Sequence, residues 1–355
     1  MPNDVYIALA EHLDEMPMGA PMSDDLMEIL HILYTPEEAE LAAKLPFAEA
    51  PLEELSAMTG KPVEELEPML DAMAAKGTVF KLMMEGEMKY RLLPTIVGIT
   101  ETPFWAGKET EMTRKLAPLW FKYAMQGPFG DMLGDRELSL VRAIPVKEEV
   151  GSSSQVFPLE TVKELVKGLD FFSVAFCPCR QIAASQGEGC EHGLEYCFHF
   201  GNIGRYIVEQ GMGRELTLEE TLKKMEEAHE QGMVFTSDNY QGAEVHTICS
   251  CCGCSCVFMR IRKDLGYQNT IAQSMYVPHV DEELCLGCGT CEERCPVEAI
   301  KLNEEEVAQI DEAICLGCGV CIPTCSGEAL RLERREDAKG IPSFVEYVQA
   351  QFPQK

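Results

Sequence analysis

Seventeen of the 355 residues are cysteines, and none precedes Cys177. Eight fall in two runs of the form Cys-x-x-Cys-x-x-Cys-x-x-x-Cys: Cys285, Cys288, Cys291 and Cys295, then Cys315, Cys318, Cys321 and Cys325. The runs lie in LCLGCGTCEERCPVEAIKL (284–302) and ICLGCGVCIPTCSGEALRL (314–332), which repeat at a period of 30 residues. Thiolates are soft ligands, and such spacing serves iron with inorganic sulfide or, in paired Cys-x-x-Cys elements, tetrahedral zinc. A third cysteine at the same short interval, in tandem, favours iron and sulfide. Gly287, Gly289, Gly317 and Gly319 let each loop wrap a cluster and aim backbone N–H groups at sulfur.

Over about 50 residues the two runs resemble the bacterial two-cluster ferredoxins, in which the fourth cysteine of each run ligates the other cluster. The resemblance implies one 4Fe-4S cluster on Cys285, Cys288, Cys291 and Cys325, and another on Cys315, Cys318, Cys321 and Cys295. It also implies single-electron transfer. The first copy keeps the proline that follows the fourth cysteine, Pro296, whereas the second has Ser326, which loosens the local turn without removing a ligand.

The other nine cysteines match no such pattern. Cys177, Cys179, Cys190 and Cys197 suffice for one further four-thiolate site, with Arg180 near in sequence to offset its charge. Cys249, Cys251, Cys252, Cys254 and Cys256 crowd into eight positions. Adjacent residues of extended chain point to opposite faces, which groups Cys252, Cys254 and Cys256 apart from Cys249 and Cys251. One or two further iron-sulfur clusters are expected here, with zinc or unligated thiols as alternatives. His192, His199 and His246 lie near the central cysteines and can ligate a metal or deliver protons, though each reads first as a surface or supporting residue. Glycines 201, 204, 211 and 213 lack the strand and the ordered Gly-x-Gly-x-x-Gly of a nicotinamide site.

A formal charge of -29 and a pI near 4.6 repel phosphate backbones and anionic lipid, so nucleic acid is not an expected partner. A redox partner with a basic docking surface is expected, whether free or within a larger complex. The first residues, MPNDVYIALAEHLDEMP, carry no basic segment followed by an apolar core, and no apolar run reaches the roughly 20 residues of a membrane span. Cytoplasmic placement, with thiols kept reduced, and no direct membrane insertion follow as expectations. The acidic field disfavours adding an electron to an anionic cluster, so low potentials and anaerobic metabolism are expected.

The elements that must position these cysteines read as an α+β multidomain chain. Residues 1–94 are expected to be helical and to resemble a winged helix-turn-helix domain. Thr35-Pro36-Glu37-Glu38 opens one helix, residues 52–58 end at Thr59-Gly60, residues 62–76 follow, and a hairpin reverses at Glu85-Gly86-Glu87. Residues 95–155, aromatic but without clear periodicity, read as a linker. Residues 156–276 are a cysteine-rich α/β central domain. There PLETVKELVKGLD suits a helix, DFFSVAF a strand delivering Cys177 and Cys179 to a loop, and Thr217–Glu220 a capping box for a helix with Leu218, Leu222 and Met225 on its inner face. Residues 277–335 form the ferredoxin-like dicluster domain, and 336–355 a tail. Three readings result: an iron-sulfur electron relay, which is favoured; an oxidoreductase acting at the central cysteines; and a redox-responsive winged-helix regulator, which the acids of the second helix oppose.

Overall fold

The computed structural model describes residues 2–16, 18–145, 162–241, 245–336 and 340–351. The expected helix beginning at Pro158 and the end of the expected linker lie partly outside the described residues. The chain is mixed α/β and divides into two units, one of residues 1–132, 173–189 and 202–215, the other of residues 133–172, 190–201 and 216–355. Among the described residues no helix is long and apolar enough to cross a membrane.

In the first unit, helix Pro36–Ala42 starts where Thr35 and Glu38 exchange side-chain and backbone hydrogen bonds, the capping box read in the sequence. Helices Leu52–Thr59 and Val63–Lys76 each end on a left-handed glycine, Gly60 and Gly77. Strands Val79–Met84 and Glu87–Leu92 then pair antiparallel, and Ala50–Pro51 adds to the second of them. Glu85 and Gly86 both take positive φ, 55° and 84°, as a two-residue turn matched to strand twist requires.

The stretch expected to be a linker contains helix Glu111–Met125, opened by a box of Thr110 and Thr113. Leu116, Trp120 and Tyr123 are buried at spacings of four and three, and the helix packs on Asp24–Leu33. Pro118 sits inside it, which masks the helical signal because proline removes a backbone donor. Cys177 lies in the expected connection after the strand, whereas Cys179 does not. Cys177 is the N-cap of helix Pro178–Ser185, directly after strand Phe172–Ala175, and Cys179 falls in the first helical turn. The backbone N–H of Phe176 donates to Trp105, and the Gln181 amide donates to the Phe104 carbonyl, so this junction is pinned to residues 104–105 of the same unit.

In the second unit, strands Ile271–Ala272, Val141–Ile144, Val234–Asp238, Thr247–Cys251 and Cys197–Phe200 lie side by side in that order. All pair antiparallel except the first two. Helix Leu218–Glu230 has the expected Thr217–Glu220 box, but Thr221, Met225, Ala228 and His229 are its buried residues and Leu218 is exposed. The cysteine repeat folds as two antiparallel pairs, Tyr276–Val280 with Leu330–Arg334 and Ile300–Leu302 with Ala308–Ile310. Each copy thus supplies one strand to each pair, which brings the two cysteine runs together.

Candidate metal centres

The tandem repeat forms two cavities. One is lined by Cys285, Cys288 and Cys291 from the first copy and Cys325 from the second. The other is lined by Cys315, Cys318 and Cys321 from the second copy and Cys295 from the first. Backbone N–H groups already point at sulfur: Ala299 to Cys295 at 3.2 Å, its counterpart 30 residues on, Ala329, to Cys325 at 3.3 Å, and Gly317 to Cys315 at 3.4 Å. Gly317 takes φ +66°, and a Cβ there would lie 1.9 Å from the Tyr276 carbonyl oxygen, so only glycine lets this loop close.

The two cavities differ electrostatically. Burial pushes the thiols of Cys315 and Cys318 up to about 11 and about 12, and Cys321 well above the ordinary thiol range. Buried thiolates are costly without cationic ligation, so this donor set fits a metal-sulfide core. Arg335 donates to the carbonyls of Cys315 and Tyr276, and Arg262 to that of Ile314, placing two buried guanidiniums beside the same cavity. Around the other cavity Cys288 is exposed. Its thiol is lowered, first by the Thr290 hydroxyl at 3.5 Å and also by the Ser326 hydroxyl.

The central cysteines separate differently from the sequence grouping. Cys197 stands directly opposite Cys249 across neighbouring strands, and Cys251 follows two residues on, so these three share one face of the sheet. Cys251 hydrogen-bonds Cys249 and Cys256, and Thr236 at 3.3 Å. The Cys249 sulfur pushes the Cys251 thiol well above its ordinary range, against the opposing effect of Cys256. Cys256 was expected to side with Cys252 and Cys254. It instead returns to Cys251, because residues 253–255 turn and Cys256 caps helix Val257–Asp264. Cys249, Cys251 and Cys256 belong to one apolar cluster with Cys295, Cys315 and Cys318.

Cys190 does not stay with Cys197. It joins Cys252, Cys254 and His192 in a quartet whose ligand atoms all lie within 4.8 Å of one another. Residue-adjacent Cys251 and Cys252 therefore serve different groups, as their opposite orientation in extended chain implied. His192, ranked from sequence first as a surface or supporting residue and second as a ligand, is the member that joins the thiols; its place two residues after Cys190 was the available signal. Its imidazole is pushed up to about 9, chiefly by the Cys252 sulfur. His199 is buried and hydrogen-bonds Cys197 at 3.2 Å and Thr247 at 3.1 Å, and burial lowers it to about 3, so it is neutral. His246 contributes its carbonyl to the backbone N–H of Phe200. In the first unit, Cys177 is raised well above the ordinary thiol range, first by Cys179 and then by burial, with Arg180 opposing.

Residues 278–301 match the family of 4Fe-4S binding domains. Searches of curated proteins and of solved structures return no match to the chain. The matched residues hold the first cysteine run between strands Tyr276–Val280 and Ile300–Leu302, and the chain carries an iron-sulfur, ferredoxin-type domain in its last third.

Proposed function

We propose that the chain is an electron relay with two 4Fe-4S clusters in the repeat and a further iron-sulfur centre on the sheet face of Cys197, Cys249, Cys251 and Cys256. One observation carries the reading: each cavity gathers three cysteines of one run and the fourth of the other, which is the ligand crossing of a dicluster ferredoxin. When bound, each cluster stores and releases a single electron. The protein's own residues set the ends of the path. Cys288 and Leu286 leave the first cavity open to solvent, beside exposed Glu282, Glu283 and Glu293. That end suits docking of a partner with a basic surface, with an association rate that falls as salt rises. The second cavity faces inward and shares its apolar surroundings with Cys249, Cys251 and Cys256.

The winged-helix resemblance of residues 1–94 fits a docking role better than DNA binding. On helix Val63–Lys76 the exposed side chains include Glu64, Glu65 and Glu67, and Lys76 is engaged by Glu38 and the Leu33 carbonyl. The test is iron, acid-labile sulfide and EPR on protein purified without oxygen. About 8 iron atoms per chain are expected from the repeat, and about 12 with the sheet-face centre. Replacing Cys325 by Ser should alter the signal of the cluster on Cys285, Cys288 and Cys291, not that of its own run. Colourless folded protein without sulfide overturns the reading.

A further inference from the structure

Among the described residues, the Cys190, His192, Cys252 and Cys254 quartet is drawn together more tightly than the ferredoxin cysteines, none of which forms so compact a group. The Sγ atoms of Cys190 and Cys252 are 3.9 Å apart, and the Sγ of Cys254 is 3.6 Å from Nδ1 of His192. These separations decide the type of centre. A tetrahedral ion with bonds of about 2.3 Å to sulfur and about 2.0–2.1 Å to nitrogen has S···S edges of about 3.8 Å and S···N edges of about 3.6 Å. In a cubane each ligand binds a different iron at a different corner, so the donor atoms must stand farther apart.

The surroundings of the quartet are also those of a single-ion site. Nε2 of His192 is 3.1 Å from the Gln231 carbonyl oxygen, which makes Nε2–H the donor and turns Nδ1 toward the thiols, where it would give up its proton to bind an ion. Gln231 further holds the loop by accepting from the Gly193 N–H through its side-chain oxygen at 3.0 Å. The Ser255 hydroxyl lies 3.3 Å from the Cys190 sulfur, placed to donate to a thiolate. Gln231 follows helix Leu218–Glu230, and Cys252 and Cys254 follow the strand Thr247–Cys251, so the quartet ties three segments together.

We infer that Cys190, His192, Cys252 and Cys254 bind one zinc ion in a closed Cys3His site, separate from the iron-sulfur centres. All four positions are filled by protein, so the ion is structural and has no open position for substrate. Its role is to fix the Cys252–Cys254 turn, so that Cys251 and Cys256, on either side of it, are held beside the second ferredoxin cavity. Zinc is redox-inactive and can hold this turn unchanged while neighbouring centres cycle.

The test uses the full chain, purified without oxygen from zinc-supplemented medium. About one zinc per chain is expected, with an X-ray absorption first shell of three sulfurs and one nitrogen. His192→Ala and Cys254→Ser should each lower zinc to a small fraction of the wild-type content while iron, sulfide and the EPR of the repeat clusters persist. If these variants do not fold, the first shell of the wild-type protein decides alone. Absence of zinc in wild-type protein overturns the inference. So does zinc bound by four sulfurs, or a loss of about four irons per chain in His192→Ala, which would mark the quartet as a cluster site. Because the readout is zinc, the inference can fail while the iron count of the relay stands, and the reverse.

Discussion

A Cβ atom on Gly253 would lie 2.2 Å from the carbonyl oxygen of Pro296, so the cysteine-rich turn of the sheet packs backbone to backbone against the residue that follows Cys295. The obstacle is main chain, which cannot rotate aside as a long side chain can. Gly253→Ala must push this turn away from the cysteine repeat, and overpacking of this kind costs about 1–3 kcal/mol. The half-life of visible absorbance in denaturant under argon should shorten several-fold. Gly340→Ala, where the added Cβ meets open space, provides the comparison and should leave that half-life close to wild type. Equal behaviour of the two variants would remove the close approach as a source of stability.

Ser326 illustrates where sequence comparison stops. In place of the proline found after Cys295, it was expected only to loosen a turn, yet its hydroxyl helps lower the thiol of Cys288, which lines the same cavity as Cys325. Hydrogen bonds to ligand sulfur stabilise the more negative, reduced cluster and raise its potential. Ser326→Ala should therefore lower the reduction wave of the cluster beside Cys288 alone. A few-fold change in a one-electron equilibrium corresponds to about 30 mV. Film voltammetry should show one wave moved down by about this amount and the others unmoved; a shift of every wave, or of none, would contradict the contact.

The iron count separates the sheet-face centre from the repeat. Cys251 hydrogen-bonds Cys249 and Cys256 and has no part in either ferredoxin cavity. Cys251→Ser should reduce iron from about 12 to about 8 atoms per chain and leave the dicluster EPR in place. An unchanged iron content would mean that these thiols carry no cluster.

What was legible in the sequence had local causes. The Thr35–Glu38 and Thr217–Glu220 boxes, the left-handed glycines at 60 and 77, and the Glu85-Gly86 turn each arise from hydrogen bonds or dihedral preferences within a few residues. The ferredoxin run was legible because a loop around a cluster fixes its own spacing, and residues 278–301 match on that ground. The partners of Cys190 were not, because Cys252 lies 62 residues away and is brought near by strand order, which no local pattern encodes. Cys256 was misgrouped because alternation holds only while the chain is extended, and the strand ends at Cys251. The Glu111–Met125 helix was hidden by Pro118, although Leu116, Trp120 and Tyr123 kept helical spacing.

Glu101 makes the first unit sensitive to pH. Its carboxyl group is enclosed, although the residue as a whole keeps some surface in solvent, and it accepts the backbone N–H of Gly98 at 2.7 Å. Burial raises its pKa from an ordinary 4.5 to about 8, outweighing the backbone hydrogen bonds that favour the charged form. The folded state therefore holds a proton that the unfolded chain has released between these values. The stability this proton confers is fully present below about pH 4.5 and is lost as pH rises through about 8. Glu101→Gln keeps an oxygen acceptor for Gly98 and removes the ionisation. Trp105 and Trp120, the two tryptophans of the chain, are both buried in this unit and report on it. Followed by their emission, wild-type unfolding should shift to lower denaturant between pH 6 and about pH 8.5, whereas Glu101→Gln should shift less. Parallel profiles for the two proteins would show that the carboxyl is already charged in the folded state.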